Sequence, residues 1–146
     1  MVPVECWRML DEDATPISYL SPDDLLDLHT FVIERYGGLF GIKSQDRLQM
    51  ALQAPRQILF GSELYPDLCS KAAVLTFMIV KHHPFNFANE ATAFFALLRF
   101  LAINGAGLRP EVGPDEIEWV FRALSHGDMD REELERWLRE NVEMVS

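Results

Sequence analysis

The chain has 146 residues, a length that suits one compact domain with a single hydrophobic core. Hydrophobic residues make up 49% of it, which is the composition of a folded protein and not of a disordered one. The formal net charge of −10 argues against a nucleic-acid binder and against attachment to an anionic membrane, because both need clustered lysine and arginine. The same charge favours a basic protein partner.

The sequence carries no sign of export. No basic segment followed by an apolar run stands near Met1, so we predict no signal peptide, and no apolar stretch is long enough to span a membrane. Cys6 and Cys69 lack metal-ligand spacing, and we expect two reduced thiols. These features together predict a cytoplasmic protein.

The first twenty residues differ from the rest. Residues 2–10 alternate partly between apolar and polar types, a turn-like segment follows, and residues 17–20 are again apolar. This pattern is compatible with a short N-terminal β-hairpin. We therefore divide the chain into an N-terminal extension, 1–20, and a helical domain, 21–146.

Helix signals dominate from Ser21 onward. Ser21, Pro22 and Asp24 form a capping-box pattern at the start of the first helix, and Gly37–Gly38 ends it. Similar start and stop signals predict five further helices, which cover about 44–54, 67–81, 89–104, 114–125 and 130 onward. The expected fold is a mainly α, single-domain bundle of about six helices.

Two neighbouring helices are apolar on nearly all sides, over 72–80 and 93–101, which predicts a buried central pair. Their connection, 82–88, holds the candidate site. A helix N-terminus presents free backbone N–H groups and the positive end of a dipole, so it favours anions. His83, just before it, stands where it can move a proton.

The connection and several other stretches together resemble the Fic/Doc family, most closely its Doc (death-on-curing) branch. The similarity runs from about Leu20 to Glu140. It implies that the helices of this chain form the helical bundle of that family. The matching stretches are 20–29, 34–42, 52–56, 65–68, 83–93, 100–105 and 127–134.

The resemblance implies a specific chemistry and a biological setting. Doc proteins are toxins of toxin–antitoxin modules and transfer a phosphoryl group from ATP to a hydroxyl of a target protein, whereas Fic relatives transfer AMP. By this resemblance His83 is the general base and Phe85 anchors the loop in the core. In the anion- and nucleotide-binding part, Ala88 lets backbone N–H groups approach a phosphate and Asn89 contacts it. The family holds its nucleotide through Mg²⁺.

Three positions depart from the family motif. Phe87 replaces the acidic residue that holds Mg²⁺, a cation that requires oxygen ligands, while Glu90 and Ala91 replace the basic pair. Loss of an arginine that clamps a transferring phosphoryl group costs about 10³–10⁵ in rate. We therefore expect no metal site and no bound cofactor, and transfer that is impaired or absent.

Several interpretations stay open at this point. The protein could be a transferase, a catalytically dead domain that binds an antitoxin or a former target protein, or an enzyme with a different, metal-independent donor. His83 could act as a base or only serve the fold, and Asn89 could contact an anion or cap its helix. Whether the protein is an enzyme is therefore uncertain from the sequence.

Overall fold

The computed structural model describes residues 16–145, and these residues are mainly α-helical, as predicted. Three of the helix starts carry reciprocal capping boxes, between Ser21 and Asp24, Asp67 and Ser70, and Asp130 and Glu133. The helices of this part of the chain are α1 (Pro22–Tyr36), α2 (Gln45–Gln53), α3 (Leu68–His82), α4 (Asn89–Ile103), α5 (Pro114–His126) and α6 (Arg131–Asn141). The predicted helix boundaries are thus confirmed to within a residue or two.

Short strands supplement the helices. β1 (Ile58–Leu59) pairs antiparallel with β2 (Ser62–Glu63), directly after a 3₁₀ turn at Ala54–Arg56. β3 (Ala106–Leu108) pairs antiparallel with β4 (Val142–Met144), which ties the end of α6 to the end of α4. None of these strands was predicted.

The predicted N-terminal hairpin is not supported where it can be checked. Residues 17–20 form no strand, and the other expected strand, 2–10, lies outside the described residues. Leu20 is buried in the core, and the backbone of Ser18 forms two hydrogen bonds with the Asn104 amide. This segment therefore packs on the helices rather than pairing with a strand.

The core lies around α3, which packs against α4 on one side and α6 on another. Most residues of α3 are buried, which explains its apolar character on all sides. Cys69 in this helix is buried and disulfide-bonded, so the expectation of reduced thiols is wrong for it. Within residues 16–145 no helix is long and apolar enough to cross a membrane.

Candidate functional site

The candidate site is the turn between α3 and α4. His83 follows the last residue of α3 in a left-handed conformation, with φ 47° and ψ 67°, and its N–H donates to the Ile79 carbonyl at 3.3 Å. This residue ends the helix in the way that a C-terminal glycine usually does. The residue is exposed, so its imidazole is accessible to a reactant or a partner.

A side-chain amide closes the turn around Phe85. The Asn89 Oδ1 accepts from the Phe85 N–H at 3.0 Å, and the Asn89 Nδ2 donates to the Phe85 carbonyl, also at 3.0 Å. The Phe85 ring is only 1% exposed, as the role of loop anchor requires. Because its amide is engaged with the loop, Asn89 does not cap α4, and that alternative was wrong.

The start of α4 lacks a side-chain cap. Its N-cap residue, Ala88, adopts a left-handed conformation with φ 61° and ψ 37° and forms no side-chain capping bond. The helical hydrogen bonds begin with the Thr92 N–H, which donates to the Ala88 carbonyl at 3.0 Å. The backbone N–H groups before Thr92 in this first turn are therefore the kind of donors that favour an anion.

Phe87 covers the backbone at the end of α1. A Cβ atom placed on Gly38 would lie 2.6 Å from Cε1 of the Phe87 ring and closer still to Cδ1, so the ring rests on that glycine. The side chain is 49% exposed, so only part of it is covered. The Phe87 carbonyl lies 2.9 Å from the Nε2 of His29. The ring thus fills space beside the loop with apolar surface rather than with a ligand for a cation.

Glu90 is held by the next helix in the bundle. Its Oε1 accepts a hydrogen bond of 2.8 Å from the Ser125 hydroxyl near the end of α5. A groove of about 320 Å³ lies at this contact, and His126 and Arg122 line it together with Glu90 and Ser125. The first turn of α4 therefore carries a fixed carboxylate, and the neighbouring Ala91 adds no charge.

A second segment supports the loop from the side of α2. The Pro84 carbonyl accepts from the N–H groups of Lys43 at 2.7 Å and Ser44 at 3.1 Å. The Asn86 N–H donates to the Gly41 carbonyl at 3.2 Å, and residues 42 and 85 form an isolated antiparallel bridge. The loop is therefore tied to the segment that follows the double glycine.

Sequence reasoning missed one residue of this arrangement. His29 was not among the predicted site residues, yet it contacts the loop at Phe85 and Phe87. The signal was its position on the buried face of α1, four residues after Leu25 and three before Val32. The apolar periodicity of α1 indicates that His29 is buried, but it does not indicate which group His29 contacts.

The side chain of Arg56 contacts a residue outside the loop. The Arg56 guanidinium stacks over the Tyr19 ring, 4.3 Å from its centroid, and not over the loop. Among residues 16–145 no group of three histidine, cysteine or acidic side chains is arranged to hold a metal ion.

The sequence that forms this loop and its flanking helices matches a known protein family. The Fic/DOC family model matches residues 19–101, more than half of the chain, and the match includes the whole loop. The chain belongs to the Fic/Doc family. Two relatives place it in the Doc branch. Toxin Doc of Mycolicibacterium smegmatis is 29% identical over 112 residues, which are 77% of this chain and 84% of that protein. Protein kinase doc of Escherichia phage P1 is 36% identical over 87 residues, which are 60% of this chain and 68% of that protein.

Membership in the Fic/Doc family confirms the resemblance drawn from the motif stretches. The matched region starts at residue 19, so it includes the segment that packs Leu20 into the core. The names of the two relatives describe a toxin and a protein kinase. The toxin and kinase activities are those of the two relatives, and their names alone do not assign them to this chain.

Proposed function

We propose that this protein is a Doc-type toxin of a toxin–antitoxin pair that acts by binding a protein, with its ancestral phosphoryl or AMP transfer impaired or lost. One observation carries the proposal. The turn between α3 and α4 is formed, and the N-terminus of α4 that follows it is of the kind that favours an anion. The side chains next to this N-terminus are nevertheless an aromatic ring and a carboxylate, Phe87 and Glu90.

The residues present do not fit Mg²⁺ and a nucleotide. Phe87 offers no oxygen ligand, and its ring lies on Gly38. The Glu90 carboxylate is fixed by Ser125, where it would oppose a phosphate at a cost of about 1–4 kcal/mol. The Asn89 amide is already bonded to the Phe85 backbone. We therefore expect no bound cofactor and no metal, and we assign no transfer step to this site.

His83 is the group in this loop that could still support an enzymatic function. Its residue is exposed at the end of α3, and the family role of this position is that of general base. A base without a bound donor cannot transfer phosphate. Modification of a protein that depends on His83 but not on Mg²⁺ and ATP would therefore favour an enzyme with a different donor.

A groove between α1 and α4 offers a surface for the protein partner. Its volume is about 270 Å³, and it is lined by apolar Leu28 and Phe31, by the acidic Asp24 and Asp27, and by Arg99. Further apolar residues are exposed at the end of α1 and just after it, and they are Tyr36, Leu39 and Phe40. A basic amphipathic helix, as an antitoxin segment could supply, complements such a surface in both shape and charge.

The net charge of −10 supports the same choice of partner. An acidic protein repels nucleic acid at long range and attracts basic segments, so we propose a protein partner and no nucleic acid. The partner is the antitoxin or a former target protein. We propose that this pair acts in the cytoplasm, where the disulfide of Cys69 would be an exception to the usual reduced state of thiols.

The first test is a transfer assay. The protein is incubated with a bacterial lysate and with ATP labelled separately at the α or the γ phosphate, beside a His83→Ala variant. We expect no label on protein in either sample. Label that depends on His83 would contradict the proposed loss of transfer, and the labelled phosphate would identify phosphorylation or AMP transfer.

A restoration experiment tests the reason for the loss. The triple variant Phe87→Asp, Glu90→Lys, Ala91→Arg should gain Mg-ATP binding that is measurable by titration calorimetry, because it returns the ligand and the positive charges. A matched triple, Phe87→Leu, Glu90→Gln, Ala91→Ser, should not. Micromolar Mg-ATP binding by the unmodified protein would show that our interpretation of the three positions is wrong.

The partner surface is tested by reversing one charge. Asp27→Lys should weaken capture of the partner from a lysate about tenfold at low salt, since it places a positive charge against a basic helix. Asp128→Lys makes the same change in charge outside the groove and serves as the control. An equal loss of capture in both variants would show that the partner does not bind at this groove.

A further inference from the structure

His29 lies under the candidate loop and has no part in the chemistry considered so far. It sits in the middle of α1 and is only 3% exposed. A histidine in a core must satisfy its ring N–H, because an unpaired buried donor costs free energy. The partner that satisfies it lies 58 positions away in the chain, at the loop.

The hydrogen bond determines which ring nitrogen of His29 carries a proton. The Nε2 of His29 is 2.9 Å from the Phe87 carbonyl oxygen, and a carbonyl oxygen only accepts. Nε2 therefore carries a proton and donates it. The bond gives the backbone carbonyl of Phe87, which lies in the loop, a side-chain donor from α1.

The ring of His29 makes a second contact with the loop. It stacks on the Phe85 ring with centroids 3.9 Å apart and planes 6° apart. Phe85 and Phe87 flank Asn86, so one side chain holds the loop at two points. The carbonyl of Phe87 belongs to the peptide bond that leads into Ala88, the N-cap of α4.

We propose that His29 is a positioning residue, which fixes the Phe87 carbonyl and thereby the start of α4 relative to His83. Asn89 clamps the loop from the helix side, and His29 clamps it from the core side. Loss of its N–H would remove this donor from the Phe87 carbonyl. The loop would then open more often, although the helices remained packed.

This inference rests on the proposed function in one respect, namely that the loop is the functional surface. Its test does not use a partner or a nucleotide, so it can fail or succeed independently. The reporters are backbone amides that are bonded across the loop, those of Phe85, Asn86 and Lys43. Their hydrogen exchange measures how often the loop opens.

Two substitutions separate the two contacts. His29→Phe retains a planar ring for the stack but removes the donor, and we expect the reporter amides to exchange about tenfold faster. His29→Gln returns an N–H donor and should bring exchange back toward the original rate. His126→Phe, at the exposed end of α5, is the control for adding a phenyl ring. Thermal unfolding of each variant shows whether the whole domain has changed.

The NMR signal of the His29 Nε2 proton gives a second readout. We expect a protonated Nε2 with slow solvent exchange in the unmodified protein. Exchange at Phe85 and Asn86 that stays within about twofold in His29→Phe, at unchanged thermal stability, would overturn the proposal. A deprotonated Nε2 would overturn it as well, even if the variants failed to fold.

Discussion

Left-handed backbone conformations mark both ends of the candidate loop. His83 has φ 47° and Ala88 has φ 61°, and both are conformations that glycine adopts more cheaply. Ala88 carries the smallest side chain with a Cβ, so its strain is modest. A histidine that is exposed in this conformation is a candidate for a role outside the fold, and that role of His83 stays a prediction.

The first prediction concerns this strain. His83→Gly should stabilise the protein by about 0.5 kcal/mol, since relief of about 1–2 kcal/mol of left-handed strain exceeds the added entropy of the unfolded chain. His82→Gly, one residue earlier in regular helix, should destabilise by about 1 kcal/mol. Chemical denaturation measures both. A clear loss of stability in His83→Gly would favour the purely structural role of this histidine.

The second prediction concerns the glycine beneath Phe87. Gly38 has φ 124°, and a Cβ there would collide with the Phe87 ring, so Gly38→Ala should destabilise by about 1–3 kcal/mol. Gly37→Ala is the matched control, because it also has a positive φ of 86° but no atom within 4 Å of its Cβ position. Equal unfolding free energies for the two variants would mean that the ring is not held on Gly38.

At the scale of the element, the hairpin of β1 and β2 stands out because it exposes apolar surface. Phe60 at its tip is 98% exposed with φ 51°, and Ile58 and Leu59 are also exposed. A buried lysine anchors this hairpin. The Lys71 ammonium, 1% exposed in α3, donates to the Glu63 carboxylate and to the Pro55 carbonyl, both at 2.9 Å.

The third prediction follows from the unequal burial of that ion pair. Glu63→Ala leaves a buried ammonium without its counter-charge and should cost about 2 kcal/mol. Lys71→Met should cost less, because Glu63 is 48% exposed and can be hydrated. Denaturation curves of the two variants and of the double variant give the coupling. A larger loss in Lys71→Met would contradict this order.

At the scale of the whole molecule, an ion pair joins the last helix to the central one. The Arg139 guanidinium in α6 lies 2.8 Å from Asp67, the N-cap of α3, and 2.8 Å from Glu135. Burial lowers the pKa of Arg139, but the hydrogen bonds that it donates to Glu135 and Asp67, together with the charges of these carboxylates, outweigh the effect of burial, so the pKa is raised. The cation therefore stays charged at every pH at which the protein folds.

The fourth prediction tests this connection. Arg139→Met should destabilise by about 3 kcal/mol, because it removes the counter-charge of Asp67, a carboxylate that is only 3% exposed. Arg122→Met removes an exposed ion pair with Glu118 and should change stability by less than about 1 kcal/mol. Thermal unfolding of both measures the difference, and similar midpoints would argue against a stabilising role of the buried pair.

Local signals in the sequence were enough to predict the helices. Caps at Ser21, Asp67 and Asp130 and the stop at Gly37 act within a few residues, so the boundaries could be read directly. The motif around His83 and Phe85, with the other matching stretches, likewise identified the family from the sequence alone. The hairpins were missed because strands of two or three residues carry too little periodicity.

By itself, the sequence determined the mainly α fold and the Fic/Doc relationship, because each depends on residue type and spacing. Its interpretation of three motif positions as departures stays a prediction. Only the tertiary structure decided what those residues contact. It placed His29 against the loop, Phe87 on Gly38 and Glu90 beside Ser125. These pairs are 35 to 58 positions apart, and no local pattern encodes which buried or exposed groups the folding of the chain brings together.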